Sequence, residues 1–186
     1  MSLLRIAFVS LAISAHGLFA HSLFTHSGAQ AAQPLSQGST VPEFSAPNQD
    51  GKMVKLSDFK GSPVLLFFYP KDETPGCTKQ ACSLRDEFAE FKKLGAVVLG
   101  ISRQDQASHT EFRKKHKLPF DLLVDSDGKI AEKLGVGTMP LIGLHKRQSL
   151  IIGKDGKLLK FMGDVDPSTH TKEALETIRT HLAETK

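Results

Sequence analysis

The chain has 186 residues, 40% apolar and 24% charged, enough for one globular domain with a real core and without need of a second. Its 24 basic and 20 acidic side chains give a net charge of +4 and a pI near 9.1, but they are interspersed and form no basic block. With one Tyr, no Trp and most Phe in apolar runs, the stacking platforms of a single-strand binder are missing as well, and no nucleic-acid partner is expected.

The N-terminal segment differs from the rest. Arg5 is its one charged residue, and no carboxylate precedes Glu43. Arg5 leads into the apolar stretch Ile6 to Ala15, too short to span a bilayer, and Ala29-Gln30-Ala31 offers a small-residue site for a signal peptidase. Residues 1–31 therefore read as an export signal to a periplasmic or similar compartment, 32–40 as a flexible lead-in and 41–186 as the folded domain. The polar interval with His16, His21 and His26 fits a signal peptide poorly. An uncleaved anchor or an organellar transit peptide stays open, as does a cytoplasmic location. Without an uncleaved anchor, no stable membrane association is expected.

In chain order, Phe44 to Ala46 and Met53 to Lys55 flank Asp50-Gly51, a hairpin turn signal. Val64 to Phe68 is a continuous apolar run of the kind found in a central strand buried on both faces, and it stops at Pro70. Ala81, Leu84, Phe88 and Phe91 recur at helical spacing, which predicts one amphipathic helix from Cys77 to Leu94, closed by Gly95. A strand over Val97 to Ile101, a helix over Gln106 to His116, a strand over Phe120 to Val124 and a short helix ending near Leu134 follow. Leu150 to Ile152 and Leu158 to Met162 bracket Asp155-Gly156 as a second hairpin. Asp166-Pro167 supplies a cap and an N1 proline for a last helix carrying Ala174, Leu175, Ile178 and Leu182. This order predicts an α/β protein of thioredoxin-like fold, a central mixed β-sheet flanked by helices.

The chemistry concentrates where the first long strand hands over to a helix. Helix N-terminal amides point outward and carry partial positive charge, so a cysteine placed there is favoured as thiolate. Cys77 occupies that place. Thr74 either sets its hydroxyl beside the sulfur or caps the helix; Pro70 walls the sulfur from water or only ends the strand; Gly76 admits a substrate to the backbone or only makes the turn.

Cys82 follows five residues later. On an ideal helix the two Cα atoms lie about 8 to 9 Å apart, beyond the ~4.4 to 6.8 Å that a disulfide spans. An intact helix therefore keeps the cysteines apart, a poor design for a structural staple and a good one for a reversible redox cycle. A hydroperoxide oxidises a thiolate to a sulfenic acid, which condenses with a second thiol; Cys77 is the expected attacker and Cys82 the resolver. A guanidinium suits the departing oxygen, and Arg85 and Arg147 are the candidates. Arg85 lies two turns into the helix and is expected to pair with a carboxylate. Arg147 opens the strand Ser149 to Ile152 and points back at the sheet edge that holds Cys77 at even odds.

The stretch Phe67 to Asp86, with its core Pro70-x3-Thr74-x2-Cys77, resembles the peroxiredoxins, and specifically the bacterioferritin comigratory protein branch, also called PrxQ. The likeness runs from about Val41 to the C-terminus, with Val98 to Ser102 and Leu123 to Asp125 in the expected order. It implies a peroxidase of the atypical two-cysteine type acting on hydrogen peroxide and organic hydroperoxides. Cys77 would be its peroxidatic cysteine and Cys82 its resolving one, with Pro70, Thr74 and Arg147 completing the peroxide site. It further implies re-reduction by thioredoxin or a similar dithiol protein, with no cofactor or metal. A resolving cysteine on the same helix favours a monomer. The segment Gly135 to Lys146 is shorter than the family's usual insert before that arginine.

Rival classes share the layout. A thiol-disulfide oxidoreductase prefers Cys-x-x-Cys, in which the sulfurs meet without unwinding. A copper-binding chaperone needs a histidine at ligand spacing to the cysteines; His145 is the one worth testing, and a solvated loop histidine is its plainer reading. A cysteine hydrolase needs a local histidine signature, which is absent.

Overall fold

The computed structural model describes residues 33–185. The export signal expected over residues 1–31 lies outside them. The elements are β1 (Ser45–Pro47), β2 (Met53–Lys55), a 3-10 turn (Leu56–Phe59), β3 (Val64–Phe68), α1 (Pro75–Asp86), α2 (Phe88–Lys93), β4 (Val97–Ser102), α3 (Gln106–His116), β5 (Asp121–Val124), α4 (Lys129–Lys133), β6 (Gln148–Ile152), β7 (Leu158–Met162) and α5 (His170–Glu184).

Five strands form one sheet in the order β5-β4-β3-β6-β7. β3, β4 and β5 run parallel, while β6 is antiparallel to both β3 and β7. The expected α/β, thioredoxin-like mixed sheet is thus present, with β1 and β2 as a separate hairpin. All five residues of β3 are buried because both its faces are covered. Leu65 and Phe67 pack with Ala81, Leu84, Phe91, Phe112 and Ile178 on one face. Val64, Leu66 and Phe68 pack with Ala131, Leu134 and the hairpin's Val54 on the other. Gly100 on β4 makes room for this core: a Cβ there would sit 2.7 Å from Phe67 Cζ and 2.6 Å from a Leu122 methyl. Phe67 thereby meets Phe120 edge to face, with centroids 5.6 Å apart.

Three boundaries differ from the sequence reading. The helix predicted over 77–94 is two helices, broken at Glu87, whose ψ of 10° departs from helical geometry. Glu is a good helix former, so propensity does not signal this break; the packing of Phe91 in the core and of Phe88 against Phe120 decides it. The last helix starts at His170, not at Pro167. Asp166 Oδ1 accepts from Ser168 N at 2.8 Å and Ser168 Oγ at 2.7 Å, closing a turn ahead of the helix. The lead-in joins the fold early: Gly38 N donates to Leu158 O at 2.8 Å and Val41 N to Gly156 O at 3.0 Å. Among the described residues no helix is long and apolar enough to cross a membrane.

Candidate active site

Register places the site. Phe68, the last residue of β3, pairs with Gln148, the first of β6. The loop leaving β3 and the residue entering β6 therefore share one end of the sheet, which brings Arg147 to the start of α1. Cys77, in the first turn of α1, is 1% exposed and a free thiol. Arg147 Nη2 donates to its sulfur at 3.4 Å. Gly76 permits this approach, since a Cβ there would stand 3.0 Å from the same nitrogen.

Thr74 is at the N-cap position, but its side chain does not cap the helix. Its hydroxyl donates to Lys71 O at 3.0 Å, fixing the turn of the approach loop and leaving the first-turn amides without a side-chain acceptor. Pro70 is half-buried at the end of β3, on the same loop.

The second arm of the Arg147 guanidinium donates from Nη1 to Gln80 Oε1 at 2.7 Å. Gln80 is buried one turn after Cys77, and its Nε2 lies 3.3 Å from His170 Nδ1. Because a guanidinium only donates, Gln80 must offer it the carbonyl oxygen and present its amide N–H to His170. His170 Nδ1 is then an acceptor and the ring is neutral. Burial points the same way: it lowers the His170 pKa from 6.5 to about 4, with the Arg147 charge adding to the shift and Glu173 opposing it.

A match to the AhpC/TSA family spans residues 37–161. The chain is 47% identical over 146 residues to a chloroplastic peroxiredoxin Q of Oryza sativa subsp. japonica, covering 78% of this chain and 67% of the relative. It is 40% identical over 148 residues to the peroxiredoxin Bcp of Bacillus subtilis (strain 168), covering 76% and 94%. The crystal structure of peroxidoxin BcpB from Mycobacterium tuberculosis superposes with a TM-score of 0.73 at 36% identity, over 78% of this chain and 97% of that one. The chain belongs to the AhpC/TSA family, as a peroxiredoxin of the Q/Bcp branch. It is a thiol-dependent peroxidase.

In this peroxiredoxin a second polar network lies beneath the approach loop. Asp72, 4% exposed, accepts from Tyr69 OH at 2.8 Å and Ser108 Oγ at 2.7 Å and lies 2.8 Å from His109 Nδ1. His109 Nε2 faces Leu123 O at 3.2 Å. Burial by itself would raise the Asp72 pKa; the hydrogen bond and charge of His109, with Ser108 and Tyr69, outweigh it and hold the carboxyl below its ordinary range. Tyr69, buried and next to that carboxylate, is pushed well above its usual phenolic range and stays a donor. The loop from Tyr69 to Asp72 is thereby tied to α3.

Cys82 is a free thiol, half-buried, on the opposite side of α1 from the guanidinium. Its sulfur lies 3.9 Å from His116 Nδ1. Arg85 pairs with Asp86 at 2.7 Å, as the sequence led one to expect, and also donates to His116 O at 2.9 Å. His145 departs from expectation. It is fully buried, not a solvated loop residue, packing edge-on against Phe68 with Nε2 3.0 Å from Asp125 Oδ2. No group of three His, Cys, Asp or Glu side chains among the described residues is placed to hold a metal ion.

The structure thus brings Cys77 and Arg147 together and leaves Cys82 outside their contact. Sequence reasoning missed Gln80, His170, Asp72 and His109. Gln80 carried a signal, since its i+3 position puts it on the face of Cys77; His170, 93 residues from Cys77, carried none.

Proposed function

We propose that Cys77 is the peroxidatic cysteine, that Cys82 resolves it, and that Arg147, Thr74 and Pro70 form the rest of the peroxide site. The observation that supports this most is the Arg147 guanidinium 3.4 Å from a buried sulfur at a helix N-terminus. The Cys77 thiolate attacks the terminal oxygen of a hydroperoxide. The O–O bond breaks, that oxygen becomes the sulfenic oxygen of Cys77, and the remaining alkoxide or hydroxide leaves with a proton as alcohol or water. Arg147, held in line by Gln80, stabilises the charge as it passes from sulfur to departing oxygen. The Thr74 oxygen retains lone pairs toward the peroxide hydrogen, and Pro70 limits water at the sulfur.

Resolution follows when the first turn of α1 loosens and the Cys82 sulfur displaces the sulfenic oxygen as water. A thioredoxin-like dithiol then returns the disulfide to two thiols. Because both cysteines sit on one helix, a monomer suffices for the cycle. Residues 1–31 direct the domain to its compartment, with export favoured by their composition; intact mass of the protein isolated from its native cell tests this.

The decisive test is stopped-flow reaction with hydrogen peroxide. Cys77→Ser should lose the reaction, and Cys82→Ser should consume one equivalent and stop. Continued turnover by Cys77→Ser refutes the assignment.

A further inference from the structure

The resolving step needs more than proximity. The thiolate, not the thiol, is the nucleophile toward sulfenic sulfur. Cys82 is away from the first-turn amides and from Arg147, so any help in removing its proton comes from other groups.

Around Cys82 the fold assembles a second constellation from three segments distant in sequence. His116, the last residue of α3, turns Nδ1 toward the Cys82 sulfur at 3.9 Å. Its Nε2 lies 3.1 Å from Glu73 Oε1. A carboxylate only accepts, so in the neutral ring the proton sits on Nε2 and the Nδ1 lone pair faces the thiol. That is the tautomer a proton acceptor requires. The ring is held edge-on against Phe112 with centroids 5.0 Å apart. Lys115 pairs with the other Glu73 oxygen. Its hydrogen bond, followed by that of His116, keeps the Glu73 carboxyl below the usual range. Glu73 reaches this position with a φ of 61°, uncommon for a residue with a side chain. Arg85, from α1, joins the cluster by donating to His116 O at 2.9 Å.

We propose that His116 is the general base of the resolving step, taking the Cys82 thiol proton through Nδ1, with Glu73 as the residue that positions it. This rests on the reading of Cys82 as the resolving cysteine. The proton passes from Cys82 Sγ to His116 Nδ1, and the thiolate attacks the sulfenic sulfur of Cys77. The S–S bond forms as the S–O bond breaks. The hydroxide leaves as water, carrying the proton that His116 returns. Cys82 sulfur is oxidised and the sulfenic sulfur reduced, so no outside oxidant or reductant enters.

The magnitude is bounded. An ordinary thiol of pKa ~8.5 is already about 3% thiolate at pH 7, so full ionisation accelerates attack by at most about thirtyfold. The test is a single turnover of the full reduced chain with one equivalent of hydrogen peroxide, acid-quenched, with sulfenic acid and disulfide separated by intact mass. His116→Gln should slow disulfide formation about 10- to 30-fold relative to sulfenic formation at pH 7, so that the sulfenic acid accumulates. Added imidazole should recover most of the loss, and the gap from wild type should narrow as pH rises and solvent base replaces His116. Glu73→Gln should slow the same step by about threefold, an effect of ring positioning. Disulfide formation at the wild-type rate in His116→Gln, or a slowed step that imidazole leaves unchanged, overturns the proposal. If His116→Gln is too disturbed to form sulfenic acid, Glu73→Gln decides: an unslowed resolving step there refutes it. Wild type that forms sulfenic acid but never a Cys77–Cys82 disulfide refutes the role of Cys82 itself, and the two failures are thus distinct.

Discussion

Cys77 and Cys82 share α1 yet sit in unlike surroundings. Cys77 is 1% exposed, and its partners, Arg147, Gln80 and His170, come from the β6 edge, α1 and the start of α5 and are tied to one another in series. Cys82 is half-buried, and its neighbours His116 and Glu73 are tied to solvent-facing Lys115. The difference matters because, on the proposed mechanism, the two sulfurs have different tasks. An attacking thiolate benefits from donors fixed before the peroxide arrives. On the proposed mechanism Cys82 acts in a step in which part of α1 rearranges, and its partner His116 stands outside that helix, on α3.

The contrast predicts that substitutions in the buried networks carry the larger effects. The largest is expected at Asp72: Asp72→Ala strips the acceptor from Tyr69, Ser108 and His109 together. It should destabilise the fold by about 3 to 5 kcal/mol in urea unfolding. Arg147→Met comes next. It should lower the rate of Cys77 oxidation by about 10²- to 10³-fold, or ~2.7 to 4 kcal/mol, measured by competition with a second peroxidase, with little change in the folded state.

His170 gives an effect of about 3 kcal/mol that acts only in acid. Its folded pKa of about 4 is below the 6.5 of the unfolded chain, so the unfolded state binds the extra proton first. The stabilisation is complete above pH 6.5 and is lost as pH falls toward 4. Urea unfolding at pH 7 and pH 4.5 should therefore show a steeper loss for wild type than for His170→Gln; equal losses would remove His170 from the buried network. The smallest effect is expected at Arg85, whose exposed pair with Asp86 is worth under about 1 kcal/mol. Arg85→Ala should leave the unfolding midpoint nearly unchanged and leave Cys77 oxidation alone. A large drop in Cys77 oxidation would erase the distinction between the two environments.

Much of the fold was legible because its signals are local. The unbroken apolar run of β3, the Asp-Gly turns and the alternation of helical and extended periods give the strand and helix order directly. The split at Glu87 and the delayed start of α5 were not legible, since no residue preference marks either and packing and a side-chain turn decide them. Cys77, Cys82 and Thr74 could be picked from one short stretch. Arg147 remained one of two arginines, because choosing between them requires the register of β3 on β6.

By itself, then, the sequence determined a cysteine pair on one helix that begins where a buried strand ends, the spacing that forbids a bond across that helix when intact, and the sheet with its helices. All of these follow from interactions within a few residues or from period. Only the tertiary structure decided which arginine meets the sulfur, that Gln80 and His170 stand behind it, that Thr74 bonds Lys71 in place of the helix amides, and that His116, held by Glu73, meets Cys82. Apart from the local bond of Thr74 to Lys71, those pairings join segments whose separation in sequence leaves no periodic trace. They form because β-sheet register and helix packing fix where each element ends, and polar side chains buried at those ends must find partners there.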